Sequence, residues 1–591
     1  MMYSGVISVM RLSWWASVIF ACLGCVAASV YAQEQDAVVS DAASATSNTP
    51  AETIDNAVEC KNYAKLYQDV ALDKTSRIDN LLFEGLEGKT IHSIVFKTVD
   101  IFDEDNPKEN NRLYLFLNKL HVNTKSYVVE SQLLFHVGDK INADDIHESE
   151  RILRTRKYFT NAYVLPESVC GDEVNLLVVT QDSWALEPQF AFSRQSGDNQ
   201  TGFGISDGNI LGSGNALTIA YSENEQRNGV GYDFSNPHFL NRQIDLRLYY
   251  EDTNDGRNSV VDIARPFYAL DTPWATGIRL EDVSLIEIIR SRGEVVNKFR
   301  HQALLNEIFI GKATEVNNNF TQRWLIGFSN EEQKFYTTDE TTDEGIPVHD
   351  KAAYPWVEYQ YLENKFGVYK NVNQIQRPED IALGQNFSFR LGVGGKRFDN
   401  PDDVVRFKGE YVNIRDVNDV HIFEYSFAID GRQHLQISDL DPVVISTYMS
   451  YNYFQDEKNR WYSRVSYDVG QDLSRQQELT VGDVTGLRGY PTDYFRGKKR
   501  YVFTLERRYF SDIHIFNLLR MGGVVYFDAG KAWGLEGDPY SPLLSDVGIG
   551  LRFSSTKVRI GNVVHIDVAM PTSAKSGISK YQLTIGAEKK F

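Results

Sequence analysis

Bond-making chemistry needs a nucleophile, a base or a set of metal ligands at fixed spacing, and this 591-residue chain offers few. Gly394-Gly395-Lys396-Arg397 has the look of a phosphate loop. Arg390, however, stands where its first glycine must be, and no Ser or Thr follows the lysine. His147-Glu148 lacks the second histidine of a zinc-binding helix. No cysteine pair has metal spacing, and the 11 histidines are scattered and read as structural. No catalytic residue, metal ligand or cofactor is assigned, and the chain is not expected to be an enzyme.

The composition narrows the classes further. Hydrophobic residues make up 42% and charged residues 24%, so the chain is too apolar for a disordered protein. Its net charge of -19 speaks against wrapping nucleic acid, whose phosphates reward clustered Lys and Arg. The aromatic load, 32 Tyr and 33 Phe, is heavy for a soluble enzyme. At the N-terminus, Arg11 precedes an apolar run, Leu12 to Val30, and the small-residue stretch Ser29-Val30-Tyr31-Ala32 follows. This is the pattern of a secretory signal cleaved after Ala32, with a retained anchor helix as the alternative. Cleavage leaves two cysteines, Cys60 and Cys170, and two cysteines in an exported chain read as one disulfide. No other stretch reaches the roughly 18 apolar residues of a membrane-spanning helix. An exported, aromatic-rich chain then has one way left to span a membrane, a closed β-barrel.

The elements that would build it can be read in order. Residues 33–86 form a polar leader, with a short helix around Tyr63–Leu72. Residues 87–182 read as a small α+β unit in the order strand, helix, helix, strand, strand. Leu113, Phe116, Leu117 and Leu120 share one helical face, as do Val128, Val129 and Leu133 on a helix starting near Thr124. Asn142 or Asp144 caps a helix carrying Ile146, Ile152 and Leu153. From Ser183 to Phe591 no convincing amphipathic helix appears. Short alternating runs recur instead: Ile244, Leu246, Leu248 and Tyr250 against Asp245, Arg247 and Glu251; Phe387, Phe389, Leu391 and Val393 against Ser388 and Arg390; Tyr501, Phe503 and Leu505 against Thr504, Glu506 and Arg508. Apolar and polar faces alternating between turns are the signature of an outer-membrane barrel, and roughly 26 residues per strand predict about 16 strands, with 14 or 18 as alternatives. A soluble β-sandwich or propeller is the competing fold.

The last strand is the most specific. Tyr581, Leu583, Ile585, Ala587 and Phe591 share one face, with Gly586 between them and a terminal aromatic at the end. That pattern is similar to the insertion signal of bacterial outer-membrane proteins, from which Lys589 departs.

Taken together, residues 87–591 resemble the superfamily that joins POTRA domains to a bacterial surface antigen barrel: the BamA-type outer-membrane assembly factors and the two-partner secretion transporters. In the soluble unit the resemblance lies in Tyr127–Leu134, Gly138-Asp139, Glu148–Arg154 and Tyr158-Phe159, which look like the core of one POTRA domain, with Asp182–Leu186 as the passage into the barrel. In the barrel, Leu487-Arg488-Gly489-Tyr490 looks like the family's Arg-Gly-aromatic loop tip. Tyr526, Asp528 and Gly530 match its aromatic-x-Asp-x-Gly strand motif. The resemblance implies that the loop folds into the lumen and that Arg488 meets Asp528, with Glu506 as a second acceptor and Gly489 allowing a tight turn. It also implies the function: a protein of the bacterial outer membrane whose POTRA domain, in the periplasm, receives unfolded polypeptide clients that the barrel inserts or translocates. Its partners would be outer-membrane lipid, those clients, and periplasmic chaperones or other accessory proteins, with no nucleic acid. A dedicated exporter of one secreted partner and a passive pore or lipid-handling barrel are the alternatives.

Overall fold

The computed structural model describes residues 60–63, 83, 85–102, 110–156, 158–195, 198–224, 226–292, 294–317, 319–343, 345–436, 441–516, 518–535, 541–556, 563–573 and 578–588. The expected signal segment, nearly all of the leader with its helix, and Lys589-Lys590-Phe591 lie outside the described residues.

The chain first builds an α+β unit from β1 (Cys60–Asn62), β2 (Thr90–Val99), α1 (Arg112–Leu120), α2 (Ser126–Glu130), α3 (Ala143–Thr155), β3 (Phe159–Cys170) and β4 (Glu173–Asp182). The sheet order is β1-β3-β4-β2, with β2 parallel to β4. Each of the three helical segments read from the sequence forms a helix, one more than the order strand, helix, helix, strand, strand counts, and the leader contributes an edge strand that a polar reading misses. That strand is clamped in place: Cys60 lies opposite Cys170 and is bonded to it. The core comprises Ile91, Val128, Val129, Leu133, Ile146, Leu153, Val164, Leu176 and Val178. Asn142 caps α3, its side chain accepting the Asp144 N–H at 3.0 Å.

Helix α1 departs from the expected face. Phe116 and Leu120 are exposed, while Tyr114 is buried and stacks on Phe102 with ring centroids 4.4 Å apart. The helix packs against Ile101 and Phe102 and against Trp184 and Leu518 of the following region instead of on its own sheet. A spacing rule that assumes one core therefore misplaces Phe116 and Leu120 and omits Tyr114, while Leu117 does pack in this cluster.

The remaining strands close into a ring. On one side it runs β5 (Leu186–Gln195), β6 (Asp198–Asp207), β7 (Ala216–Glu223), β8 (Asn228–Asn236), β9 (Asp245–Thr253) and β10 (Gly256–Arg265). Longer strands follow: β11 (Trp274–Ser291), β12 (Glu294–Val316), β13 (Phe320–Thr337), β14 (Asp350–Glu363), β15 (Lys365–Lys370) and β16 (Pro378–Gly394). Next come β17 (Val404–Val417), β18 (His421–His434), β19 (Val443–Phe454) and β20 (Asn459–Gln471). A loop carrying the small hairpin β21 (Leu479–Val481) and β22 (Phe495–Gly497) leads to β23 (Lys499–Ile515), β24 (Leu519–Trp533), β25 (Leu544–Ser555), β26 (Val563–Pro571) and β27 (Gln582–Glu588). Strands β14 and β15 pair in succession along β16, so they form one broken strand and the nearly closed barrel has 20 strands, not 16, 14 or 18. The miscount has a physical cause: β7, β8 and β9 are only eight or nine residues long and are joined by connections of four and eight residues, well under the assumed length per strand.

The alternation places apolar side chains outside and polar ones inside. On β25, Val547, Ile549 and Leu551 are exposed on the outer face, whereas Asp546, Arg552 and Ser554 are buried inside. No described helix is long and apolar enough to cross a membrane. Because every ring strand is antiparallel to its neighbours and their number is even, the barrel starts and ends at the same rim, the rim next to the α+β unit.

Candidate functional site: the lumen loop and the closing seam

The loop between β20 and β23 turns back into the barrel from the far rim. Two bonds make its tip a compact turn: the Leu487 N–H donates to the Gly482 carbonyl at 2.9 Å, and the Tyr490 N–H to the Leu487 carbonyl at 3.0 Å. Leu487 and Tyr490 are fully buried. The chain between them presents Arg488 to the inner faces of β23 and β24. Its Nε donates to Asp528 Oδ2 at 2.8 Å and its Nη2 to Asp528 Oδ1 at 3.0 Å, a two-pronged pair. Its Nη1 lies 2.9 Å from Glu506 Oε1, and the guanidinium carbon sits 3.4 Å above the centre of the Tyr526 ring. Planar guanidinium and planar carboxylate match in shape, which fixes the loop's orientation as well as its position.

Close approach explains the glycines around this contact. A β-carbon at Gly489 would lie 2.6 Å from the Asp546 Cβ and 3.2 Å from the Pro571 nitrogen. One at Gly548 would lie 2.2 Å from Tyr526 Cζ, so Gly548 leaves the room that the ring occupies. Gly530 gives space to Leu487, 3.3 Å from the position of its missing β-carbon. The Tyr490 hydroxyl donates to the Ser545 carbonyl at 3.0 Å. All seven residues singled out in the loop and its wall, Arg488, Gly489, Tyr490, Glu506, Tyr526, Asp528 and Gly530, are thus brought to one place.

The inner wall extends beyond them. Arg508 donates through Nε to Glu506 Oε2 at 2.7 Å, and Arg552 through Nη1 to Asp567 Oδ1 at 2.9 Å, so charges alternate along β23, β25 and β26. Asp546 stands directly across the ladder from Asp528. Sequence reasoning missed Arg552 and Asp546. Strand alternation puts both on the inner face, and that parity was the available signal. Sequence reasoning also passed over Gly204-Ile205-Ser206-Asp207-Gly208, which has the spacing of a nucleophile elbow. It runs along β6 rather than through a strand-to-helix turn, and the Ser206 hydroxyl is bonded to the Thr218 hydroxyl at 2.8 Å.

The ring closes between β27 and β5, and it closes weakly. Only Leu583, Thr584 and Ile585 are in register with β5, opposite Arg194, Ser193 and Phe192. Below them, toward the α+β unit, Gly586–Glu588 and Gln189–Ala191 have no partner across the seam among the described residues. Tyr581 and Leu583 are exposed on the outer face, as is Phe190, at 75%. A β-carbon at Gly586 would meet nothing within 4 Å. Phe591 of the expected insertion signal lies outside the described residues.

The α+β unit is fastened to the rim near β6–β9. Asp182, the last residue of β4, accepts the Thr124 N–H at 2.8 Å, its hydroxyl at 3.0 Å and His121 Nε2 at 2.8 Å. The Thr124 hydroxyl in turn accepts Asn209 Nδ2 from the β6–β7 turn at 2.8 Å. In that turn Gly212 is left-handed at φ 71°, and a β-carbon there would sit 2.3 Å from the Asn123 carbonyl oxygen. His238, in the β8–β9 turn, pairs through Nε2 with the Ser213 carbonyl at 2.8 Å. Burial, reinforced by the nearby Arg156 charge, pushes its imidazole down to about 4. Burial likewise pushes the Tyr158 phenol up to about 12.

No family model and no curated protein matches this chain. Solved structures similar to it include BamA from Haemophilus ducreyi lacking POTRA domains 1-3, at 13% identity and a TM-score of 0.39, covering 84% of each chain. CdiB from Escherichia coli is similar at 10% identity and a TM-score of 0.46, covering 85% of this chain and 77% of that one. CdiB from Acinetobacter baumannii is similar at 10% identity and a TM-score of 0.42, covering 85% and 74%.

Proposed function

We propose that this chain is a protein of the bacterial outer membrane that takes up unfolded polypeptide clients and inserts them into that membrane or passes them across it. The α+β unit, read as one POTRA domain, would sit in the periplasm and receive the client by adding an extended segment to its sheet. The reading includes no enzymatic step; client folding and burial supply the driving force.

The observation that carries it is the seam. The apolar outer face of the barrel belongs in hydrocarbon, where each backbone group without a partner costs several kcal/mol. Among the described residues, the backbone of Gln189–Ala191 and of Gly586–Glu588 has no cross-seam partner, so a strand edge is on offer to an incoming strand, which would satisfy it. The Arg488 lock supports the same reading, because it braces the wall a few strands from the seam while leaving the seam itself loose. Outer-membrane lipid is the second partner; chaperones and accessory proteins of the periplasm complete the set. A dedicated exporter of a single partner is the second reading within the same class.

The test is quantitative proteomics of the outer membrane and the medium after depletion, beside a strain carrying Arg488→Ala. A fall in many barrel proteins, matched by the variant, is the expected result and makes the protein a general assembly factor. Loss of one secreted protein would identify a dedicated exporter. No change in any protein overturns the client reading and leaves the pore or lipid role.

A further inference from the structure

A ring of 20 strands should enclose an aqueous channel, since barrels of about 16–18 strands already do. In this barrel two turns from the rim next to the α+β unit fold inward and occupy that space. The first, residues 266–273, joins β10 to β11. Its Phe267 packs with the inner-face cluster of Leu325, Tyr354, Trp356 and Val404, and Ala269 and Thr272 are buried. The second, residues 371–377, joins β15 to β16 and reaches much further. Its Ile375 joins a buried cluster with Phe510, Val524, Tyr526 and Ala569, and the Gln374 Oε1 accepts the Ser554 hydroxyl at 3.1 Å. Counted round the ring from β16, the Ser554 strand β25 is the seventh neighbour in one direction, about a third of the way round.

Both turns are held in the same manner. A turn pulled into a barrel strands its own backbone carbonyls, which need donors. For the first turn the donor is Arg323 of β13: Nη2 bonds the Ala269 carbonyl at 3.1 Å and the Leu270 carbonyl at 3.3 Å, and the guanidinium stacks on Phe267 at 4.3 Å. For the second it is Arg460 of β20, 1% exposed: Nη1 bonds the Val372 carbonyl at 3.0 Å, Nη2 bonds the Lys370 carbonyl at 3.2 Å, and the guanidinium lies 4.0 Å from the Phe454 ring centre. The stranded amides of the same turn are collected by Glu379, which accepts from Val372, Asn373 and Gln374 at 2.9–3.0 Å. Every backbone group of Val372 is thereby engaged, as befits a built element rather than a chance excursion.

The two loop systems converge. Tyr526 carries Arg488 on its ring face and belongs to the cluster that holds Ile375. The lumen is therefore filled from the far rim by 487–490 and from the near rim by 371–377, with one tyrosine between them.

We infer that the turns 266–273 and 371–377 are a built-in plug and that the lumen is not a polypeptide route. The last clause rests on the client-handling reading given above; the plug does not. Arg460 and Arg323 are positioning residues that keep the plug seated.

Two measurements on the full chain separate these parts. In planar bilayers the unmodified protein is expected to hold a closed baseline, and Arg460→Ala together with Arg323→Ala to lose it and conduct persistently, with heat-modifiable gel migration confirming that the barrel is folded. Should the double variant fail that migration check, replacement of residues 372–376 by a Gly-Ser segment serves in its place. Persistent conduction by the unmodified protein, or a closed baseline in both folded variants, overturns the plug. In cells, cysteines placed at Gln374 and Ser554 and joined by a short bis-maleimide are expected to leave outer-membrane assembly unchanged. Assembly lost only when the linker is present shows that the turn must move for clients to pass, and overturns the claim that the lumen is not their route. Absence of any client effect in the unlinked protein and in depleted cells would instead defeat the client reading, and the claim about their route with it, while the bilayer records still decide the plug.

Discussion

Two stretches of the same barrel wall sit a few strands apart and are built to opposite rules. Between β23 and β25 the ladder is long: β24 pairs with β25 from Leu519 through Gly530, and the inner face adds the Arg488–Asp528, Arg508–Glu506 and nearby Arg552–Asp567 pairs. Between β27 and β5 three described residues face three. A backbone hydrogen bond contributes a net of about 0.5–1.5 kcal/mol, so the seam is held by a few kcal/mol, whereas the braced wall is held several times more tightly. The difference teaches where this barrel can afford to open. Rigidity is concentrated beside the seam, and an opening there need not disturb the wall that carries the lock.

The largest effect should come from making the seam resemble the wall. Phe192 and Ile585 face each other across it, and opposed residues of antiparallel strands have Cα atoms roughly 4.5–5.5 Å apart, within disulfide reach. The protein with Phe192→Cys and Ile585→Cys, oxidised, is expected to lose client assembly, while each single cysteine variant keeps it. Full assembly by the cross-linked protein in outer-membrane proteomics would show that the seam does not open.

Next comes weakening the wall. Arg488→Ala leaves Asp528 and Glu506 without their shared cation; removal of one partner from a buried pair costs about 3–5 kcal/mol. The loop 472–498 is expected to become sensitive to protease added at the far side, and assembly to fall. Arg488→Lys should lie between, because an ammonium cannot reproduce the paired Nε and Nη2 bonds. Equal protease resistance in Arg488→Ala and the unmodified protein would remove the lock from the mechanism.

A single methyl group sharpens the contrast. In Gly548→Ala the new carbon meets the Tyr526 ring at 2.2 Å, and such overpacking costs about 1–3 kcal/mol. In Gly586→Ala at the seam it meets nothing, and the change should stay within about 0.5 kcal/mol. Thermal unfolding of the two variants in detergent checks the pair, with a lowered Tm expected for Gly548→Ala alone. Equal melting would mean that the wall is as loosely packed as the seam.

What could be read beforehand follows the range of the interactions. Alternation along one strand is local, so the apolar run of Phe387, Phe389, Leu391 and Val393 and the inward Glu506 and Arg508 were legible. The pairing of Arg488 with Asp528 was legible only because a short motif marks each partner. The plug was not: Asn371–Arg377 reads as an ordinary polar turn, and nothing local says that it will cross the lumen to Ser554. The helix face at Tyr114 failed for the same reason, since its packing partners Trp184 and Leu518 lie far along the chain. Strand number failed through turn length, which the assumed average per strand conceals.

The smallest effect concerns the fastening of the α+β unit to the turns beside β6–β9, on the β5 side of the seam. His238 is neutral there: its Nε2–H is used by the Ser213 carbonyl, and Nδ1 is buried without a hydrogen-bond partner, so a second proton would have no acceptor. Burial in the folded protein lowers the imidazole from its ordinary value of 6.5 to about 4. The unfolded chain therefore binds the proton first, and the contribution of His238 is fully present above pH 6.5 and drains away as the pH falls from 6.5 toward 4. Thermal unfolding of the α+β unit, followed at a series of pH values in the full chain, should show this slope. In His238→Gln, whose amide can still donate to Ser213, the part of the slope between pH 6.5 and 4 should disappear, leaving the carboxylate titrations of the rest of the protein. Identical slopes for the two proteins would place His238 in water rather than in the joint, and the tie between the α+β unit and the barrel rim would then rest on contacts such as Asp182–Thr124–Asn209 and the Lys125 N–H to the Gly212 carbonyl, 3.0 Å.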